Sequence, residues 1–397
     1  MTNYNSLLNK KIPCECGRVH FVPIKEVNFN FKEQDLPQYC HKFFKGENIL
    51  IIGDKHTHEQ INQKVYDIMK KTDFDVSMLE FGEEKLIPNE KAVGTILMST
   101  HRDIAGIISI GSGTINDLSR LIGNRVKIPV ITIATAPSMD GYASSGSSLV
   151  FKGVKKTIKG STVTAIYGNV DVIKDCPYDL IQSGFGDIIG KKTALADWVL
   201  SRHITGEYWC DKTVSLVEES ANICIRDAEK IAQRDAKAIK NLIDALTLSG
   251  ICMSLVDDTR PASGSEHLIS HYLVMKAMER GELPPSHGKT VAIGTLISTV
   301  LYNFLFHTEE FKEFNNYQVI QENIYKYLPK EEEVRAWLKT IGLSCQLMDY
   351  DIDKELLREI ILKAGFIRER YTIFRFLDSL NLLDKAGNYL VSYFFRK

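Results

Sequence analysis

The chain has 397 residues, long for one domain and comfortable for two, with 44% hydrophobic and 25% charged residues, proportions ordinary for a soluble globular protein. Its formal net charge of -1 argues against a partner held by bulk charge, whether a nucleic acid or an anionic membrane surface. No apolar run approaches the roughly 20 residues needed to span a bilayer. The N-terminal stretch Met1-Thr-Asn-Tyr-Asn-Ser-Leu-Leu-Asn-Lys-Lys11 lacks the apolar core of a signal peptide, so a cytoplasmic protein is expected.

The first feature along the chain is Cys14-Glu-Cys16-Gly-Arg-Val-His20. The other cysteines are scattered and read as small buried hydrophobes of a reducing compartment. Two thiols and an imidazole this close together could bind a metal, but a structural zinc site normally has four ligands and no fourth is visible nearby. The segment reads as a structural turn, with metal binding as the alternative.

An apolar strand over residues 48–53 ends in Gly53-Asp54, and a helical pattern follows over 58–71. Residues 75–81 read as a strand. A helix carrying Val93, Ile96 and Leu97 leads to a strand over 106–110, and Gly111-Ser-Gly-Thr-Ile-Asn-Asp-Leu opens another helix. A strand over 128–133 runs into a loop, and residues 148–172 form a β-rich segment. This strand–helix alternation predicts a parallel sheet covered by helices, with a boundary near Pro177. Beyond it, long amphipathic helical patterns dominate, at 188–203, 211–222, 225–257, 266–280 and 290–307. The expected organisation is an α/β domain over 1–176 and an all-helical domain over 177–397.

Two loops carry the signal for a bound anion. Gly111-Ser112-Gly113-Thr114 sits after a strand and before a helix, where N–H groups and a partial positive charge face a phosphate and glycines admit it closely. A short Gly-x-Gly alone is weak, since the sixth position of the dinucleotide fingerprint is Asn116. The second loop, residues 135–148, reads Thr-Ala-Pro-Ser-Met-Asp-Gly-Tyr-Ala-Ser-Ser-Gly-Ser-Ser. It combines hydroxyls, small side chains and one carboxylate, Asp140. Taken alone it is equally a Ser/Gly-rich turn, but two hydroxyl-rich loops after successive strands are less often accidental. Asp54, at the end of the first strand, could accept from a ribose hydroxyl or simply cap a turn.

A metal signal lies in the helical half. Its pieces are Ser183-Gly-Phe-Gly-Asp187, which reads as a helix start, Arg260-Pro-Ala-Ser-Gly-Ser-Glu-His267-Leu-Ile-Ser-His271, and Pro284-Pro-Ser-His287-Gly. One carboxylate and two imidazoles with an open position make a workable Lewis-acid site. His267 and His271 share one face of a helix. Spacing alone would make both ligands, with Glu266 as a base, although the pattern is not His-Glu-x-x-His.

These motifs, in this order, resemble the sn-glycerol-1-phosphate dehydrogenases, in particular their bacterial branch, to which the Cys-x-Cys-Gly-x-x-His segment is also similar. The resemblance runs over about residues 14–290. It implies a Rossmann-like α/β nucleotide-binding domain and an all-α domain, as in dehydroquinate synthase, glycerol dehydrogenase and the iron-type alcohol dehydrogenases, with the active site in the cleft between them. It implies NAD(P)-linked interconversion of dihydroxyacetone phosphate and glycerol 1-phosphate, a divalent metal (zinc or nickel), a place in glycerophospholipid metabolism, and a homodimer. Carried over by motif, Asp187, His267 and His287 match metal ligands. His271 becomes a substrate or proton-relay residue instead. Asp54, Gly111, Ser112, Gly113, Thr114, Ile115, Thr135, Ala136, Pro137, Ser138 and Ser144 match cofactor contacts. Asp140 and His271 match substrate and catalytic positions, and Asp187 also matches a substrate contact. Ala134 stands where many relatives have proline. Arg260, Lys191, Lys192 and Lys289 are the cations available for a substrate phosphate. The rival readings are a glycerol dehydrogenase acting on an unphosphorylated polyol, a dehydroquinate-synthase-like lyase, and a non-catalytic metal or nucleotide binder.

Overall fold

The computed structural model describes residues 4–152, 154–160 and 162–396. Residues 1–3 of the N-terminal stretch, and residues 153 and 161 of the β-rich segment, lie outside it. The chain divides into two compact units, residues 1–181 with 234–257, and residues 182–233 with 258–397.

The strands are β1 (Lys11–Pro13), β2 (Val19–Phe21), β3 (Glu26–Asn28), β4 (Asn48–Asp54), β5 (Asp75–Phe81), β6 (Gly106–Gly111), β7 (Val130–Ala134), β8 (Gly146–Phe151), β9 (Val154–Lys159) and β10 (Ala165–Gly168). The first unit carries all of them. Six form a wholly parallel sheet in the order β3-β10-β7-β6-β4-β5, while β1–β2 and β8–β9 are antiparallel pairs. A parallel sheet is covered on both faces, so its strands read as continuous apolar runs rather than alternations; Ile49, Leu50, Ile51 and Ile52 are all fully buried.

In chain order the helices begin with α1 (Leu36–Phe43), α2 (Gln63–Met69), α3 (Glu90–Ser99), α4 (Gly113–Val126) and α5 (Val170–Lys174). Those that follow are α6 (Tyr178–Ile189), α7 (Lys191–Thr205), α8 (Asp211–Arg226), α9 (Ala228–Ala232), α10 (Ala236–Val256), α11 (Ser265–Glu279) and α12 (His287–Phe306), with shorter helices running on to Phe394. Helices α1 and α2 pack with Ile49, Ile51, Ile108, Ile110, Ile131 and Ile133 on one face of the sheet. Helix α4 covers the other, where Thr132 Oγ1 donates to Asn116 Oδ1 at 2.7 Å. The helix predicted from residue 58 opens instead with a wide π turn, His58–Asn62, where buried Asn62 donates to the Asp54 carbonyl at 2.9 Å.

A single cut at 176/177 does not describe the division. Helix α10 belongs to the first unit, because it packs on the turn Asp140–Ala143, on α5 and on β2. The helix predicted over 225–257 is three pieces. The chain breaks at Asp227, and again at Arg234, which takes a left-handed backbone (φ 58°). Arg234 Nη1 donates to the Lys174 and Cys176 carbonyls at 3.1 and 2.9 Å, closing the C-terminal end of α5. The Ser183–Asp187 motif lies inside α6 rather than opening a helix. The expectation of no membrane-length apolar segment also needs correction. Helices α10 and α12 are long and apolar enough to cross a bilayer, but 89% of the apolar window in each is buried inside the protein, so their composition serves core packing.

Candidate functional site

In the first unit, the predicted cofactor residues gather at the C-terminal edge of the sheet, the edge at which open α/β sheets bind ligands. Gly111 closes β6 directly beside Ala134, which closes β7. Gly111 has φ 153°, and a β-carbon on it would lie 3.0 Å from Ile115 Cβ. Ser112 then caps α4 without a side-chain hydrogen bond to it, so the N–H groups of the first turn, at Gly113, Thr114 and Ile115, are not taken up by the cap side chain.

The loop after β7 is stitched to the first one. Thr135 N donates to the Gly111 carbonyl at 3.3 Å, and Tyr142 Oη donates to Gly111 and Ala136 carbonyls at 3.2 and 3.0 Å. Ala136, Pro137, Ser138 and Ser144 are buried. Arg120, 1% exposed, anchors the far end of the loop. Its Nη1 donates to Ser144 O at 2.7 Å and Ser144 Oγ at 3.0 Å, and its Nη2 to Asp117 Oδ1 at 2.5 Å and to the Gly146 carbonyl. Asp140 is buried on this loop, and its Oδ2 accepts from Ser249 Oγ of α10 at 3.0 Å. Asp54 caps the turn after β4: its Oδ1 accepts from His56 N at 3.0 Å and Thr57 N at 3.2 Å.

In the second unit, Asp187, His267 and His287 bring ligand atoms within 4.8 Å of one another. Glycine makes this possible. A β-carbon on Gly186 would lie 2.2 Å from the Gly288 carbonyl oxygen, and one on Gly288 would lie 1.7 Å from that of Ser183. Helices α6 and α12 therefore cross backbone against backbone, and the residues beside those contacts, Asp187 after Gly186 and His287 before Gly288, meet. The Gly-Phe-Gly-Asp and His-Gly motifs are the two sides of that crossing.

Each imidazole is oriented from behind. His267 Nδ1 lies 2.7 Å from Glu266 Oε1, and its Nε2 lies 3.4 Å from Asp187 Oδ1. Glu266 is itself held by Gly264 N on Oε1 and Thr193 Oγ1 on Oε2, both at 2.7 Å. His287 Nδ1 lies 3.3 Å from Ser270 Oγ. A carboxylate hydrogen-bonded to one ring nitrogen, with the other aimed into the site, is the usual outer arrangement of a metal-bound histidine. The donor set fits a divalent ion on chemistry and geometry.

Charge in this cluster is tightly balanced. Burial would raise the Asp187 pKa, but the Lys191 ammonium, His267 and His287 outweigh it and hold the carboxyl well below its usual range. Burial would likewise raise Glu266, and His267 reverses that. Burial depresses His267, and its two carboxylate neighbours more than restore it. His271 lies one turn on, with its ring centroid 6.2 Å from His267 and 5.9 Å from His287. Spacing would have made it a ligand and Glu266 a base. His271 is not part of the group formed by Asp187, His267 and His287, and Glu266 is hydrogen-bonded to the His267 ring.

The candidate phosphate cations separate. Arg260 is bound to Glu207, Nε to both oxygens at 3.0 Å and Nη2 to Oε2 at 2.7 Å. Lys191, fully buried, donates to Asp187 Oδ1 at 2.6 Å and the Ala262 carbonyl at 3.1 Å. Lys192 lies 3.7 Å from Glu218 Oε1. Lys289 is half-buried in the first turn of α12, two residues after His287. Sequence reading missed Arg120, Thr193 and Ser249 altogether, since none stands in a motif; each acts through a partner far away in the chain.

The family model for iron-containing alcohol dehydrogenase matches residues 32–177. A glycerol-1-phosphate dehydrogenase [NAD(P)+] of Bacillus licheniformis is 32% identical over 375 residues, 93% of each chain. One from Thermococcus kodakarensis is 32% identical over 329 residues, 83% of this chain and 84% of its own. The solved structure of glycerol dehydrogenase from Schizosaccharomyces pombe matches with a TM-score of 0.68 at 17% identity, over 93% of this chain and 90% of the other, a likeness of fold. The chain belongs to the glycerol-1-phosphate dehydrogenase family, within the iron-containing alcohol dehydrogenases.

Proposed function

We propose that the protein is a metal-dependent, NAD(P)-linked oxidoreductase that interconverts dihydroxyacetone phosphate and sn-glycerol 1-phosphate. The observation that carries this reading is the convergence of Asp187, His267 and His287 within 4.8 Å, each imidazole held from behind. A divalent ion there, zinc or nickel, would supply Lewis-acid polarisation of a substrate oxygen, and the nicotinamide would supply or accept the hydride.

The chain's own residues do the rest. Asp187, His267 and His287 would hold the ion, and Glu266 fixes the His267 ring so that Nε2 faces Asp187. His271 gives a proton to the carbonyl oxygen as it is reduced and takes it back in oxidation. Asp140, held by Ser249, orients a substrate hydroxyl. Lys289, half-buried in the first turn of α12 two residues after His287, is the cation we assign to the substrate phosphate. The loops at Gly111 and Thr135 would hold the dinucleotide, and the N–H groups that open α4 would suit its phosphates. We place the protein in the cytoplasm as a homodimer.

The test is NADH and NADPH oxidation with dihydroxyacetone phosphate and with dihydroxyacetone, on protein of known metal content. Turnover only with the phosphorylated ketone supports the reading. Preference for dihydroxyacetone would instead make it a glycerol dehydrogenase, and no net NADH consumption with either would leave a lyase or a binding protein.

A further inference from the structure

The N-terminal hairpin holds a second group of metal-binding side chains, in the first unit and unused by the reaction. Strands β1 and β2 pair with Ile12 opposite His20 and Pro13 opposite Val19. The connection is a tight turn: Cys14 N donates to the Arg18 carbonyl at 3.1 Å and Gly17 N to the Cys14 carbonyl at 3.0 Å, with Gly17 left-handed at φ 84°. This turn brings ligand atoms of Cys14, Cys16 and His20 within 4.8 Å of one another.

The histidine settles the chemistry of the group. His20 is 2% exposed, and its Nδ1 lies 2.6 Å from the carbonyl oxygen of Leu255, near the C-terminal end of α10. A carbonyl only accepts, so Nδ1 carries the proton, and the lone pair that the ring can offer a metal is the one on Nε2. That lone pair faces Cys16 Sγ at 3.3 Å. In a tetrahedral zinc site, bond lengths of about 2.3 Å to sulfur and 2.05 Å to nitrogen put adjacent donors about 3.6 Å apart. An imidazole anchored by a backbone carbonyl on one nitrogen and aimed at thiols with the other is the arrangement of a metal-bound histidine.

We propose that Cys14, Cys16 and His20 hold a structural zinc ion, separate from the catalytic metal, with one coordination position left for a further thiolate or water. Thiolates select zinc over harder cations. Through His20 and Leu255, the ion would tie the N-terminal hairpin to the end of α10, the helix that also carries Ser249 and so the support of Asp140.

The experiment uses the full chain with zinc or cobalt(II) as the probe. His267→Ala removes the catalytic ligand set, and that variant is expected to keep one equivalent of zinc per chain. Its cobalt form is expected to show a sulfur-to-cobalt charge-transfer band, which an Asp/His/His set lacks the sulfur to produce. Cys14→Ser with Cys16→Ser is expected to lose the band and one equivalent of metal. If the double variant fails to fold, the spectrum of His267→Ala alone decides. A metal-free His267→Ala protein without the band, or an undiminished band in the cysteine double variant, overturns the proposal. Neither result depends on which substrate the enzyme takes.

Discussion

Gly288 packs directly on Ser183: its N–H donates to Ser183 Oγ at 3.1 Å, and a β-carbon in its place would lie 1.7 Å from the Ser183 carbonyl oxygen. No side-chain movement relieves such a contact, because the obstacle is backbone. Gly288→Ala must therefore separate α6 from α12 and draw His287 away from Asp187. The expected cost is about 3 kcal/mol of stability. Metal content is expected to fall together with the melting temperature, in a single sample followed by metal analysis and thermal denaturation.

Glu266 is fully buried and serves His267 rather than substrate. Glu266→Gln keeps the volume but weakens the hydrogen bond that orients the ring. Metal affinity is expected to drop by about 10–100-fold, as measured by competition with a chelator. Unchanged affinity with a collapse in turnover would make Glu266 a base instead.

Ser249 bears on Asp140 alone among the proposed catalytic groups. A hydrogen bond to a carboxylate contributes about 1.5–3 kcal/mol. Ser249→Ala is expected to lower kcat/KM for the ketone about tenfold or more while metal content and cofactor affinity stay unchanged.

Arg120 joins Asp117 to the far end of the 135–148 loop from a site 1% exposed. Arg120→Leu leaves Asp117 without its ion partner in a buried setting and should destabilise the protein by about 3–5 kcal/mol. Chemical denaturation measures this, and cofactor affinity should fall as Ser144 loses its anchor. By contrast Arg260, bound to Glu207, stabilises the fold. Arg260→Lys is expected to lower the melting temperature with little change in KM for dihydroxyacetone phosphate.

The parallel sheet was legible because its strands are short apolar runs, such as Ile49 to Ile52, closed by Gly53 and followed by helical periodicity. Helix α10 shows where this stops. Its apolar residues announce a buried helix, but periodicity names no partner, and the helix packs back into the first unit. The breaks at Asp227 and Arg234 were hidden because a charged residue in a helical pattern carries no sign that its backbone leaves the helix. The ligand group is a long-range fact of the same kind. Asp187 and His267 are far apart in sequence, and spacing alone preferred His271, a helical turn away. Resemblance supplied the set; the physical reason for it, the glycine crossing of α6 and α12, is visible only in three dimensions.

The central claim is that Asp187, His267 and His287 hold the metal on which turnover depends, with His271 acting beside it. Metal content and dihydroxyacetone phosphate reduction, measured on the same samples of His267→Ala and His271→Ala, test it most directly. The account predicts loss of the catalytic metal and of activity in the first, and retained metal with lost activity in the second. An active His267→Ala enzyme lacking that metal, or loss of the metal from His271→Ala, would contradict it.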